Sequence, residues 1–240
     1  MRMMNRLAMV VSGALLALSG GAQAQSFGAD YGYVGAPMSN FLSSSYLTQQ
    51  VVNDLATPEV ARQKLEAAAQ ADPSPPHIVS LRGSSRMTVR LAEHYPASQR
   101  AEVRALFEQL LRRHASLEDQ FGIPHGDLGA AMATMIAGSW MGFHNTSFPD
   151  RNFMPLVEQM RAVLASQPGL MESPEADQRD MYDQMAIIGM MLAGTQMGSE
   201  QRPDAATTKK MCDAAKGYLQ ELFKVPADRI TIAKNGVAMR

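Results

Sequence analysis

From Pro96 to Phe223 apolar residues recur at steps of three and four, the spacing that lines one face of an α-helix, and caps and breakers divide the stretch into five segments. In the first, Val103, Leu106, Phe107, Leu110, Leu111, His114, Leu117 and Phe121 share a face, opposite Arg104, Glu108, Arg112 and Glu118, and Gly122 with Pro124 ends it. The second runs from Gly126 or Asp127 to Phe143 with no charge after Asp127; a helix apolar nearly all round belongs at the centre of a fold. Pro149 and Asp150 open the third, whose face is Phe153, Leu156, Val157, Met160, Val163 and Leu164, and Pro168 with Gly169 closes it. Ser173, Pro174 and Glu175 open the fourth, with Met181, Met185, Ile188 and Leu192 on one face and Gly198 at its end. Asp204 caps the fifth, which buries Met211, Cys212, Ala215, Leu219, Leu222 and Phe223 before Pro226. The pattern predicts an all-α fold, a helical bundle over residues 96–232.

The bundle contains a near repetition. "MIAGSWMG", residues 135–142, matches "MLAGTQMG", residues 191–198, and the helices before them match at "LFEQLLRR", residues 106–113, and "LVEQMRAV", residues 156–163. Self-similarity of this kind predicts a duplicated helical hairpin, with chance convergence in a Met, Ala and Gly-rich composition as the alternative. The glycines Gly138, Gly142, Gly194 and Gly198 lie on strips where small side chains recur every four residues, which lets two helix backbones approach closely. The second and fourth helices are therefore expected to cross there.

Before the bundle the pattern weakens. Residues 25–56 are rich in Gly, Ser, Pro and Asn and read as a flexible leader whose aromatic residues Phe27, Tyr31, Tyr33 and Phe41 are either partner anchors or parts of a poorly ordered terminus. Over residues 57–95 short helices alternate with linkers: Thr57, Pro58 and Glu59 form a cap, first-turn proline and first-turn acid for a helix through Gln70, and a second short helix is expected over 84–95. Ile230 to Ile232 read as an extended segment, and 233–240 as a frayed tail.

The N-terminus carries the strongest functional signal. Arg2 and Arg6 precede an apolar run from Leu7 to Leu18, and Ala22 and Ala24 flank Gln23 in a small-residue cleavage site, so residues 1–24 read as a secretory signal peptide. The run falls short of the roughly 20 apolar residues of a spanning helix. An exported chain beginning at Gln25, periplasmic or secreted and without stable membrane insertion, is expected.

Loss of residues 1–24 removes two arginines and no acid, moving the formal net charge from −1 to −3. Such a balance presents no basic face for nucleic acid. Cys212, the single cysteine, excludes an internal disulfide; it reads as a buried small hydrophobe or an intermolecular bridge. Nineteen residues are methionine. Thioethers suit cuprous ion, but Met132, Met135, Met141, Met185, Met190, Met191 and Met197 follow helical core spacing, which favours packing. No metal site or cofactor is expected.

Catalytic signals are sparse. The five histidines form no HExxH pair, and there is no G-x-S-x-G elbow, phosphate loop or CxxC. Asp127 and Asp183 each precede their octapeptide by eight residues; packed together they would suit acid and base roles, and read separately they are a helix-start acid and a surface residue. Trp140 and His144 are the candidates for lining a ligand pocket, although His and Asn at a helix end also serve ordinary capping.

"DMYDQMAIIGMMLAG", residues 180–194, and "AAKGYLQELFKVPADRITI", residues 214–232, resemble the best-marked parts of a family of exported bacterial helical proteins known as a domain of unknown function. Tyr182, Gln184, Gly189, Tyr218, Leu219 and Leu222 carry the likeness, which extends back to about Ser84 and not into the leader. The resemblance implies an all-α domain after a signal peptide and supplies no activity. The expected function is a noncatalytic interaction or accessory role with protein partners, a homo-oligomer being one form of it. The alternatives are a small-ligand binder or hydrolase-like enzyme with a pocket near Asp127 and Asp183, and, third, copper handling through methionine.

Overall fold

The computed structural model describes residues 41–240 apart from positions 168 and 171. The predicted signal segment, its cleavage residues Ala22 and Ala24, and residues 25–40 of the leader lie outside the described residues. Within them the chain is mostly helical: α1 Tyr46–Asp54, α2 Pro58–Gln70, α3 Arg86–Ala92, α4 Arg100–Phe121, α5 Leu128–His144, α6 Phe153–Ala165, α7 Glu175–Gln201 and α8 Ala205–Phe223. Strands β1, Ile230–Ala233, and β2, Gly236–Met239, pair antiparallel with Ile230 opposite Met239 and Ala233 opposite Gly236.

The expected caps set the helix starts. Thr57 Oγ1 accepts from Val60 N–H at 3.3 Å, Asp127 Oδ1 from Gly129 N–H at 2.9 Å, and Asp204 Oδ2 from Thr207 N–H at 2.7 Å. Helix α5, apolar around nearly its whole circumference, lies at the centre and packs against α6, α7 and α8. Helix α7 runs past Gly198 to Gln201 and also contacts α1, α3 and α4, while α2 and β2 pack on α6.

Two glycines bring α5 and α7 together. A Cβ at Gly138 would fall on the carbonyl oxygen of Gly189, and one at Gly189 on the carbonyl oxygen of Thr134. The close crossing exists, but its partner is Gly189 rather than the expected Gly194. Gly142 instead faces Ala215 and Met211 of α8, at 3.0 and 3.3 Å from a built Cβ, and Gly194 and Gly198 are only half-buried. The seven methionines around the octapeptides are buried in the same core.

Both ends of the described chain depart from expectation. The later part of the supposed flexible leader forms a 3-10 turn over Phe41–Ser44 and then α1, with Phe41, Leu42, Leu47, Val51 and Val52 buried. A glutamine of α7 holds it: the Gln184 side chain donates to the Phe41 carbonyl and accepts from the Thr48 hydroxyl. The supposed frayed tail is β2, fixed by a second glutamine. Gln159 Oε1 accepts from Val237 N–H at 2.7 Å, and its amide nitrogen donates to the carbonyls of Val237 and Leu65, both at 3.0 Å. Gly236 takes φ +100°, and a Cβ there would strike the Gln159 amide. In each case a buried amide supplies both a donor and an acceptor to a distant segment, to main chain alone for Gln159 and to a carbonyl and a threonine hydroxyl for Gln184, which local composition does not encode.

Candidate functional site

Polar side chains meet in the core where α4, α5 and α7 converge. His114 and Glu118, one turn apart on α4, are each about 1% exposed, and Tyr182 of α7 and Thr134 of α5 are buried beside them. The Tyr182 hydroxyl lies 3.0 Å from His114 Nδ1 and 3.1 Å from Glu118 Oε1, and the phenol and imidazole rings meet edge to face. On its other side His114 Nε2 lies 3.1 Å from Thr134 Oγ1, whose hydroxyl donates to the Ala130 carbonyl at 2.8 Å. Gly126 N–H donates to Glu118 Oε1 at 3.2 Å, while Glu118 Oε2 has no hydrogen-bond partner among the described residues.

The sequence reading placed Glu118 on the solvent face with Arg104 and Arg112, and the structure corrects it. Glu118 lies one turn after His114 on the same stripe; its charge obscured a position that the periodicity itself marks as inward. Burial is the main force on both groups. It lowers the His114 pKa to about 4, with the Ala130 carbonyl opposing and the charge of His125 reinforcing the change. It raises Glu118 to about 7 against the Tyr182 hydrogen bond, His125 and the Gly126 N–H, with Asp127 adding to the rise. Burial also pushes the Tyr182 phenol far up, so it stays protonated.

The two expected aspartates are close to this network in sequence and apart in role. Asp127 is fully buried, caps α5, and is held by Arg161 Nε and Nη2 at 2.8 and 2.5 Å. Asp183 is not the surface residue expected; it is fully buried, and Arg179 Nε reaches both its oxygens at 2.8 Å. Burial still raises the Asp183 pKa, opposed by Ser85 and Arg179. Each carboxylate has its own arginine, and they form no shared pair.

Trp140 and His144 do not join them. They lie toward the other end of α5 from Asp127, about 20 to 25 Å away at 1.5 Å rise per residue. There Trp140 packs on His144 and Phe148, with ring centroids 4.7 and 5.8 Å apart, and Cys212, half-buried rather than buried, points its thiol at the Phe143 carbonyl. The four candidate residues therefore share no concavity.

A polar cleft of about 280 Å³ opens instead between the 80–86 segment and the start of α7, lined among others by Ser80, Arg82, Arg86, Glu175, Arg179 and Asp180. Most of its charges neutralise one another. Asp180 accepts from Arg86 Nη2 at 2.9 Å and Arg90 Nη1 at 3.2 Å, and Arg179, which holds Asp183, also donates to the Ser80 carbonyl at 3.1 Å. Among the described residues no three His, Cys, Asp or Glu side chains group as metal ligands, and no helix is long and apolar enough to cross a membrane.

A model built for a family of unknown function, DUF6683, matches residues 4–240. The chain belongs to this family. The match covers nearly the whole sequence, so the likeness reaches through the leader, beyond the Ser84 limit inferred from motifs alone. No curated protein and no solved structure matches the chain. Membership in the family brings an uncharacterised domain and no assigned site.

Proposed function

We propose that the protein is an exported, periplasmic or secreted, noncatalytic interaction or accessory protein. Export rests on the charged, apolar and small-residue pattern of residues 1–24. The observation that carries the noncatalytic reading is the commitment of the buried aspartates: Asp127 to Arg161 and a helix cap, Asp180 to Arg86 and Arg90, and Asp183 to Arg179. A carboxylate engaged in this way stiffens the bundle, and Glu118, the buried acid without an arginine among the described residues, faces the Tyr182 hydroxyl inside the core rather than the cleft. Function then falls to the outer surface, where Tyr46 and Val89 are exposed. Photo-crosslinking residues placed at positions 46 and 89 in the native host test this: one recurring protein adduct is expected, and adducts absent at every surface position sampled would overturn the reading.

The second reading, a small-ligand binder, is favoured by the cleft beside Arg179, behind which Asp183 lies. Here Arg82 and Glu175 are exposed, and neither pairs with another described residue. Titrating small carboxylates and amines against the Arg82→Ala variant tests it, with loss of a binding heat as the expected result.

We also infer that α4 with α5 and α6 with α7 descend from one duplicated hairpin. Support comes from the matched octapeptides and from the similar order of an amphipathic helix followed by a central one. Superposition of the two pairs with Gly138 on Gly194 tests it; a fit no better than that of shifted registers would remove the idea.

A further inference from the structure

Hydrogen positions in the core network follow from counting donors. A threonine hydroxyl has one hydrogen, and that of Thr134 is committed to the Ala130 carbonyl. Thr134 Oγ1 therefore only accepts from His114, so Nε2 carries a hydrogen. Two arrangements of the rest satisfy this condition, and they contain the same number of protons. In one, Nδ1 is bare and accepts from the Tyr182 hydroxyl, whose oxygen accepts from a protonated Glu118. In the other, Nδ1–H donates to Tyr182 and Tyr182 to an ionised Glu118, an ion pair across the 3.7 Å between Nδ1 and Oε1. The unpartnered Oε2 separates them: a buried carbonyl-like oxygen without a donor is tolerable, whereas a buried carboxylate oxygen without one is costly.

We propose that Glu118, Tyr182, His114 and Thr134 form a one-directional hydrogen-bond chain with one dissociable proton, and that loss of this proton reverses the chain, making it a pH-sensitive switch at the α5 and α7 crossing. In the protonated state Glu118 donates to Tyr182, Tyr182 to Nδ1, Nε2–H to Thr134, and Thr134 to the Ala130 carbonyl. As pH rises, the Glu118 proton passes to the Tyr182 oxygen while the Tyr182 proton passes to Nδ1. The proton on Nε2 then leaves to solvent. Tyr182 now donates to a carboxylate, Nδ1–H to Tyr182, and the Thr134 hydroxyl swings from Ala130 to Nε2. One proton is released and no covalent bond between heavy atoms changes.

Thr134 gives the reversal a structural consequence, because its main-chain carbonyl is the atom against which Gly189 packs. Releasing the Ala130 carbonyl ends an i−4 side-chain bond of the kind that bends a helix, so α5 changes its curvature one turn before the closest approach of α5 and α7. The direction of the pKa changes agrees: Glu118, raised to about 7, keeps its proton at mildly acidic pH, and His114, lowered to about 4, stays neutral there. The facing charged groups are few. His125 on the turn after α4 lowers both, Asp127 raises Glu118 from the start of α5, and Asp183 with its Arg179 acts on Tyr182 from α7.

Nitrogen-15 NMR of the full chain labelled at histidine reads the switch directly. The expected result is a His114 ring protonated at Nε2 below about pH 6 and at Nδ1 above about pH 8, reversing with a midpoint near the Glu118 pKa of about 7. In Glu118→Gln, whose amide still donates to Tyr182 and does not titrate, the ring is expected to keep the Nε2–H form across that range. One tautomer from pH 5 to 9 in the unaltered protein, both nitrogens protonated at pH 6, or the same reversal in Glu118→Gln would each overturn the proposal. The measurement on the unaltered protein decides the matter even if the variant fails to fold.

Discussion

Replacing Gly189 by alanine sets two effects of opposite sign against each other. Alanine is favoured over glycine in a helix interior by about 1 kcal/mol, so an unobstructed substitution would stabilise. At Gly189 the new methyl meets α5 main chain: its Cβ would overlap the Thr134 carbonyl and lie 2.6 Å from Met135 N. Comfortable carbon contacts need about 3.5 to 4.0 Å, so α5 and α7 must separate by about 1 Å, and a gap of that size forfeits a quarter to half of the dispersion in the contacts it opens. Overpacking costs about 1 to 3 kcal/mol, and a main-chain obstacle that no rotamer change removes places this site at the upper end. Less the propensity gain, the net loss is about 2 kcal/mol, which lowers Tm by about 4 to 8 °C in a chain of this size. Gly217 of α8 provides the opposite case, being exposed with no atom of the described residues where a Cβ would lie, and Gly217→Ala should raise Tm by about 2 to 4 °C. Thermal unfolding followed by far-UV circular dichroism checks both. A Gly189→Ala protein as stable as the parent would refute the close crossing.

Other consequences follow from the same contacts. Asp127→Ala removes a helix cap and strands a half-buried Arg161, so a loss of about 3 kcal/mol is expected in urea unfolding; less than 1 kcal/mol would discard the structural role of the pair. Gln184→Ala should raise hydrogen exchange over residues 41–54 while leaving α5 protected, and unchanged exchange there would contradict the clasp. His114 and Glu118 offset each other: between about pH 4.5 and 6.5 the folded and unfolded pair each hold one proton, so this pair adds no slope to the stability curve. Glu118→Gln leaves only His114, whose lowered pKa costs stability as pH falls from 6.5 toward about 4, by about 3 kcal/mol relative to the parent. His114→Asn leaves only Glu118, whose raised pKa costs a similar amount as pH rises from 4.5 to about 7. Denaturant unfolding across pH measures both, and parallel curves for the two variants would refute the coupling.

The parts legible in the sequence are those written locally. Thr57, Asp127 and Asp204 mark helix starts through their own side chains, and the periodic faces of α4 and α6 need no distant partner. What escaped is held by contacts far apart in the chain. Leu47, Val51 and Val52 sit in an amphipathic pattern only nine residues long that becomes α1 where Gln184 receives it, and Gly236 to Met239 become a strand where Gln159 does. The octapeptides correctly marked Gly138 as a close-contact residue but drew attention to Gly194, whereas Gly189 lies outside the repeated string. Glu118 was misplaced because charge ordinarily signals solvent; only the Tyr182 hydroxyl and the Gly126 N–H, from another helix and a turn, make its burial tolerable. Asp127 and Asp183 were rightly singled out as unusual and wrongly paired, since Arg161 and Arg179 reach them first.

The central claim is export for a protein-binding role, and native mass spectrometry on the protein recovered gently from its own host's periplasm tests it most directly. The account predicts a chain beginning at Gln25 that carries the mass of another polypeptide, released on denaturation. A chain retaining residues 1–24 in the cytosol would contradict export, and a periplasmic chain that loses only a small molecule on denaturation would transfer the function to the cleft beside Arg179.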